Sequence, residues 1–160
     1  LTAPQTLDRA GIALRIPHSG SMCLLERLEG WDTDSIRCTT TTHAQADNPL
    51  RTESGLLAPN AIEYAAQAMA LHGGLLAEEG SAPSAGFLAS ARNVKLAVAR
   101  LDDVAGALQV GARRLSGDDR QILYEFTVAA EDGRMLAEGR AVVVLNTPLA
   151  AAAQESTPSP

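Results

Sequence analysis

Aromatic side chains make up only 3% of the 160 residues. A core with so few rings must be aliphatic and alanine-rich. The chain also lacks the stacking platforms on which single-stranded nucleic acid is bound. Positive charge is short as well: 13 Lys and Arg stand against 19 Asp and Glu, a formal net charge of −6. That balance works against a nucleic acid or an anionic membrane as partner, while leaving room for a local basic patch. Cys23 and Cys38 are the only cysteines and form no CxxC pair, so both read as small buried hydrophobes in a reducing compartment. No apolar run reaches membrane-spanning length, and no secretory h-region opens the sequence given. A cytoplasmic location is the expectation. Also missing are a phosphate-cradling glycine loop, a GxSxG elbow and any metal-ligand spacing of the three histidines with Asp or Glu. Neither a cofactor nor a metal is expected.

What is present reads first as hairpins. "QILYEFTVAAEDGRMLAEGRAVVVL" holds two apolar, β-branched runs separated by Asp132-Gly133, turn chemistry in which glycine takes positive φ without penalty. "GALQVGARRLSGDDRQILYEF" repeats the device with Ser116-Gly117-Asp118-Asp119 as the turn. With "GFLASARNVKLAVARL" ahead of the acidic turn "DDVAG", about four antiparallel strands follow one another from residue 86 to 146. Segments around "GSMCLLERLEGW" and "SIRCTTTTH" supply one or two more, and "EEGSAPSAG" is a loop. A single domain over 1–146 is expected, followed by a Pro-, Ser- and Ala-rich tail over 147–160 read as disordered.

One strong helix interrupts the strands at 61–79. Ile62, Ala66, Met69, Gly73 and Leu76 recur at helical spacing, and the opposite face is nearly as apolar. A helix apolar all round is a buried one, and its alanines and glycines let other backbone approach closely. Gly73-Gly74 read as permitting that packing or fraying the helix end. The fold class expected is α+β, a curved antiparallel sheet of about five to six strands around one long central helix.

Two residues could carry chemistry. Asn60 is a favoured helix N-cap with Pro59 ahead of it, which puts Glu63 at the third helical position. A capping-box glutamate is enough to explain it. The alternative is a carboxyl group held at the mouth of a site, with a helix N-terminus favouring its ionised form and apolar neighbours opposing that. In "RIPHSGSMCLLERL", Pro17 fixes the chain just before His18, and Ser19-Gly20-Ser21 turns into an apolar strand. His18 can face a cleft there, or simply be solvated. His72 reads as a packed helix residue and His43 as a surface or strand-end residue. A histidine and a carboxyl group together suit proton removal on one side of a substrate and proton delivery on the other.

"PHSGSMCLLERL" resembles the opening motif of hot-dog-fold 3-hydroxyacyl-[acyl-carrier-protein] dehydratases, where Pro-His precedes an apolar run ending Asp/Glu-Arg. "AIEYAAQAMALHGG" is similar to the central helix of that family, with its Ile-Glu-x-x-Ala-Gln signature. The likeness is strongest to the dehydratases of aryl-polyene and related polyketide clusters, where "FLASARNVKL" is also familiar, and it spans roughly 13–146. It implies a hot-dog fold and dehydration of 3-hydroxyacyl thioesters on acyl carrier protein to trans-2-enoyl thioesters. His18 would take a proton from C2, Glu63 would protonate the leaving hydroxyl, and Gln67 would orient the carboxylate or the helix start. A backbone N–H at the helix start, that of Asn60 or Ala61, would polarise the thioester carbonyl. The resemblance further implies a homodimer or higher oligomer in which one chain's histidine faces the other chain's acid. The His-Phe-Pro-Gly stretch of the housekeeping enzymes is absent, and "HAQADNPLRTESGLLAPNA" fills that interval.

An acidic carrier protein needs a positive surface. The candidates are Arg92, Lys95 and Arg100 on the strand after the helix and Arg113-Arg114 on the next; solvated strand faces would explain the same residues. A hot-dog acyl thioesterase and a non-catalytic acyl-binding hot-dog subunit are the alternatives to a dehydratase.

Overall fold

The turns dictate most of the architecture of the computed structural model, which describes residues 2–81 and 86–145. The expected tail over 147–160 and the middle of the "EEGSAPSAG" loop lie outside those residues. The chain runs through a short helix α1 (Arg9–Ala13), strands β1 (Arg27–Trp31) and β2 (Ser35–Thr40) and the long helix α2 (Ala61–Glu78). Strands β3 (Phe87–Leu96), β4 (Leu108–Gly117), β5 (Gln121–Ala129) and β6 (Met135–Val144) complete it. Single 3-10 turns stand at Gly20–Met22, Thr42–Ala44 and Ala58–Asn60.

Both expected hairpins form. Between β4 and β5, the Asp118 carboxylate accepts from the amides of Arg120 and Gln121 at 2.8 and 3.0 Å. Between β5 and β6, Gly133 takes φ 90°. The six strands make one antiparallel sheet in the order β1-β2-β4-β5-β6-β3. Alternation sets its two faces. Val110 and Ala112 on β4, and Ile122, Tyr124, Phe126 and Val128 on β5, are buried, while the residues between them face outward.

α2 packs on the inner face against β4, β2, β5 and β3. Ala61, Tyr64, Ala65, Ala68, Leu71 and Leu75 are fully buried there. The face expected to be most apolar is less uniform: Ile62 and Ala66 keep partial exposure, as do Glu63 and Gly74. Close packing is real at Gly74, where an added Cβ would stand 3.0 Å from the Arg15 carbonyl oxygen. Cys23 and Cys38 are unpaired and buried, and burial pushes the Cys38 thiol up to about 12.

One element was not expected, and two expectations need correction. The helix α1 was not legible as apolar periodicity; its start is fixed by Asp8, which accepts from the Gly11 amide at 2.9 Å. Residues Cys23–Leu25 precede β1 rather than belonging to it, because side chains take Leu24's backbone groups. Gln67 accepts from the Leu24 amide at 2.9 Å, and the hydroxyls of Thr40 and Thr42 donate to its carbonyl at 2.6 and 2.7 Å. β3 ends at Leu96, short of Arg100.

His72 holds α2 to the sheet, as a packed helix histidine. Its Nε2–H donates to the Asp32 carbonyl at 2.8 Å, so its Nδ1 accepts from the Tyr124 hydroxyl at 2.7 Å. Burial, chiefly, pulls its pKa below the ordinary value, against the Asp32 carbonyl, which raises it. The folded state therefore favours neutral imidazole. That contribution to stability is complete above the unfolded value of about 6.5 and is lost as pH falls toward the lower folded value. Urea midpoints should drop between about pH 7.5 and 5.5. Tyr124→Phe, which leaves Nδ1 without a donor, should cost about 1–3 kcal/mol at the higher pH. Equal midpoints at both pH values would contradict this account.

Candidate active site

The approach to α2 decides what Glu63 does. Residues Ala58–Asn60 form a 3-10 turn that runs straight into the helix, with Asn60 already helical at φ −64° and ψ −13°. A capping side chain needs an extended backbone to aim at the first-turn amides. Asn60 instead donates to the Leu57 carbonyl at 3.1 Å, and no capping box forms. The same turn removes both candidate carbonyl-polarising amides. That of Asn60 is bonded to Leu57 O at 3.0 Å, and that of Ala61 to the carbonyls of Ala58 and Pro59. The preceding loop is pinned by Asp102, whose side chain is only 3% exposed and accepts from the Leu56 amide at 2.9 Å. The Arg100 guanidinium keeps the Asp102 carboxyl well below the usual carboxylate range.

Released from capping, Glu63 meets His18. The His18 Nε2 lies 3.0 Å from Glu63 Oε1, with side chains 25% and 34% exposed, so the pair sits at a half-open rim. Both residues belong to one chain, not to facing chains as the resemblance implied. Gln67, one turn on and fully buried, ties them together. Its Nε2 donates to the Met22 carbonyl at 2.7 Å and to Glu63 Oε1 at 3.3 Å, while its Oε1 accepts from Leu24 N. One amide thus fixes the carboxylate and the turn that follows His18. The imidazole's other nitrogen, Nδ1, is buried with no partner among the described residues. The His18 hydrogen bond holds the Glu63 carboxyl below the usual range; partial burial opposes this and the Gln67 bond assists it.

His43 is not a surface residue. It is fully buried in the turn after β2, where its Nε2–H donates to the Val104 carbonyl at 2.9 Å and Nδ1 lacks a partner among the described residues. Strand-end placement was legible; burial was not, because the covering segment is about sixty residues away in sequence, too far for a local pattern to report.

The five basic residues do not share a surface. Arg92, Lys95 and Arg113 stand on the outer face of the sheet, in register with outward-facing Arg140, Glu138 and Glu125. Arg114 is turned the opposite way, beside Tyr124 on the inner side. Arg100 lies beyond β3 and is engaged by Asp102, its Nε 3.1 Å from Oδ1.

The sequence model of the ApeP-like dehydratases matches residues 11–154. The chain belongs to the ApeP-like dehydratase family. It is a hot-dog protein and a dehydratase. Among solved structures it is similar to a chain of the dehydratase heterocomplex ApeI:P from Xenorhabdus doucetiae, at 23% identity and TM-score 0.76, covering 91% of this chain and 97% of that one. It is also similar to a Haemophilus influenzae thioesterase at 15% identity and TM-score 0.60, covering 93% and 97%. A Streptococcus pneumoniae hypothetical thioesterase solved with coenzyme A is similar at 13% and 0.55, covering 74% and 84%. No curated protein sequence matches. No helix among the described residues is long and apolar enough to cross a membrane, and those residues contain no cluster of His, Cys, Asp and Glu that could hold a metal ion.

The Gln67 clamp makes a direct prediction for this ApeP-like chain. Gln67→Leu removes the partners of the buried Leu24 amide and the Met22 carbonyl together, and should cost about 1–3 kcal/mol for each group left unsatisfied. A denaturant titration showing less than about 1 kcal/mol in total would mean the clamp is unimportant.

Proposed function

We propose that this dehydratase removes water from 3-hydroxyacyl thioesters carried on acyl carrier protein, giving trans-2-enoyl thioesters, with His18 as base and Glu63 as acid. The observation that carries the reading is the 3.0 Å contact between imidazole and carboxylate at a half-open rim. On this reading the pair works with one shared proton. Placed on Nε2, it gives an imidazolium facing a carboxylate, the state favoured by the lowered Glu63 pKa. Moved to Oε1, it leaves a basic Nε2 and a carboxylic acid, which is the pair the reaction needs. His18 then takes the C2 proton while Glu63 protonates the departing 3-hydroxyl. The C3–O bond breaks, the C2–C3 double bond forms and water leaves. The pair ends with the proton on Nε2, as it began, so no net proton is exchanged with solvent.

The Pro-His and Ile-Glu-x-x-Ala-Gln motifs support the acyl carrier substrate and a setting in aryl-polyene or related polyketide synthesis, and with the unpaired cysteines they fit a cytoplasmic enzyme. A second hot-dog chain, in the simplest case a copy of itself, pairs along β3. This edge strand is ten residues long, with Phe87 63% and Leu96 40% exposed. A long uncovered edge with apolar side chains is a template for strand pairing. Light scattering on the purified chain should give a dimer or larger species.

The decisive assay is the mass of the acyl group after incubation with 3-hydroxyacyl carrier protein: loss of one water supports dehydration, and release of free acid points to a thioesterase. Glu63→Gln keeps an oxygen acceptor for His18 yet has no carboxylic proton. It should melt near the parent while turnover falls about 10²–10⁴-fold, and His18→Ala should also fold but be inactive. Retained turnover in Glu63→Gln would remove the acid assignment. The pH profile supplies a further check. A second proton on the pair leaves no free base, so the acid limb of kcat/KM should lie below the ordinary glutamate range, as the lowered Glu63 pKa requires.

A further inference from the structure

Among the described residues, three hollows on the outer face of the sheet differ in charge. The first, about 540 Å³, is lined by Asp32 and Glu125 as well as Arg37 and Arg113. The second, about 730 Å³, mixes Glu125 and Glu138 with Lys95 and Arg140. The third, about 620 Å³, is lined by Ser90, Arg92, Asn93, Ser116, Gln121 and Arg140 together with apolar side chains, and by no carboxylate. In a chain with 19 acidic and 13 basic residues, a hollow with two arginines and no acid stands apart.

The arginines are not merely near each other. Arg92 and Arg140 are directly opposed in the β3–β6 register, a position where like charges repel. Neither forms an ion pair among the described residues. The carboxylate across the sheet from Arg140 is Glu125, and its contact is with Arg113 at 3.7 Å. Beside Arg92 the ladder is broken by a bulge, where Asn93 takes φ 53° in the left-handed region. The rest of the lining offers amide and hydroxyl donors from Asn93, Gln121, Ser90 and Ser116.

We propose that Arg92 and Arg140 form an anion site that takes a phosphate group, either free or carried by a larger molecule. Guanidinium forks match phosphate oxygens bidentately, and a bound anion converts the repulsion between the two arginines into a shared attraction. The sheet separates this hollow from the His18–Glu63 pair on the inner side, so the site does not depend on the acyl chemistry proposed above.

The test is calorimetric titration of the full chain with inorganic pyrophosphate and, separately, with coenzyme A, at constant ionic strength. Saturable binding of one pyrophosphate per chain is expected, weakened about tenfold or more by Arg92→Gln or Arg140→Gln, and less than about twofold by Arg113→Gln. Coenzyme A competing with pyrophosphate for the same arginines would show that the phosphate is accepted on a larger carrier; coenzyme A failing to compete would assign the site to the free anion. Folding is controlled in the same samples. Without phosphate, the two glutamine variants should melt no lower than the parent, because a like-charge pair has been relieved. With pyrophosphate the parent's melting temperature should rise, and that of the double variant should not. Absence of saturable binding, or binding undiminished in both variants, overturns the proposal.

Discussion

Gln67 carries no charge and no exposed surface, yet its amide holds the Met22–Leu24 segment and the Glu63 carboxylate of its own helix in register. The stretch after His18 cannot join the sheet and leaves its backbone groups without strand partners. A buried amide or carbonyl in that condition is costly, so something must complete it. Gln67 takes the Leu24 amide and the Met22 carbonyl, and the hydroxyls of Thr40 and Thr42 take the Leu24 carbonyl. Thr42 in turn meets the Tyr64 hydroxyl at 2.8 Å, which also accepts from Asn48 at 3.0 Å. The irregular segment is therefore held as firmly as a strand, but with its direction set by α2. Because the same amide also touches Glu63, fixing the loop and fixing the carboxylate are one event.

That arrangement resolves a conflict at the helix start. Burial asks the Glu63 carboxyl to keep its proton, while the helix N-terminus and nearby donors ask it to give the proton up. The donors prevail, with His18 the largest influence. A carboxylate held ionised by a histidine is not thereby disqualified as an acid. The two groups stand 3.0 Å apart, close enough for a proton carried by either to pass to the other. Protonation is best assigned to the two groups jointly.

Much of this was legible in the residues because the signals were local. Asp132-Gly133 and the Ser116–Asp119 run each specify a turn by their own chemistry, and the even apolarity of 61–79 specifies a buried helix. The His18 and Glu63 candidates followed from residue type and setting, and the fold brings them together. What failed depended on distant partners. The capping box was lost because Ala58 to Asn60 tighten into a 3-10 turn, with the Ala58 amide held by the Ala99 carbonyl and Leu56 ahead of it by the Leu101 amide. His43 was misplaced because its cover, Val104, arrives from another part of the chain. The sidedness of Arg113 and Arg114 was in the sequence all along, since consecutive strand residues point to opposite faces.

The small residues of α2 have a consequence for where an acyl chain can lie. A helix of alanine and glycine draws the sheet in close, and its inner side is filled by Tyr64, Leu71, Leu75 and Phe126 at full burial. The partly open stripe through Ile62 and Ala66, flanking Glu63, is an apolar surface beside the His18–Glu63 pair. On the proposed reading the acyl chain runs along that stripe, with a second subunit supplying a further wall. The uncovered β3 edge offers that subunit its place, with unpaired backbone groups already aligned for it. A single chain brings the imidazole and the carboxylate into contact by itself, and the uncovered edge is what the proposed second subunit would extend.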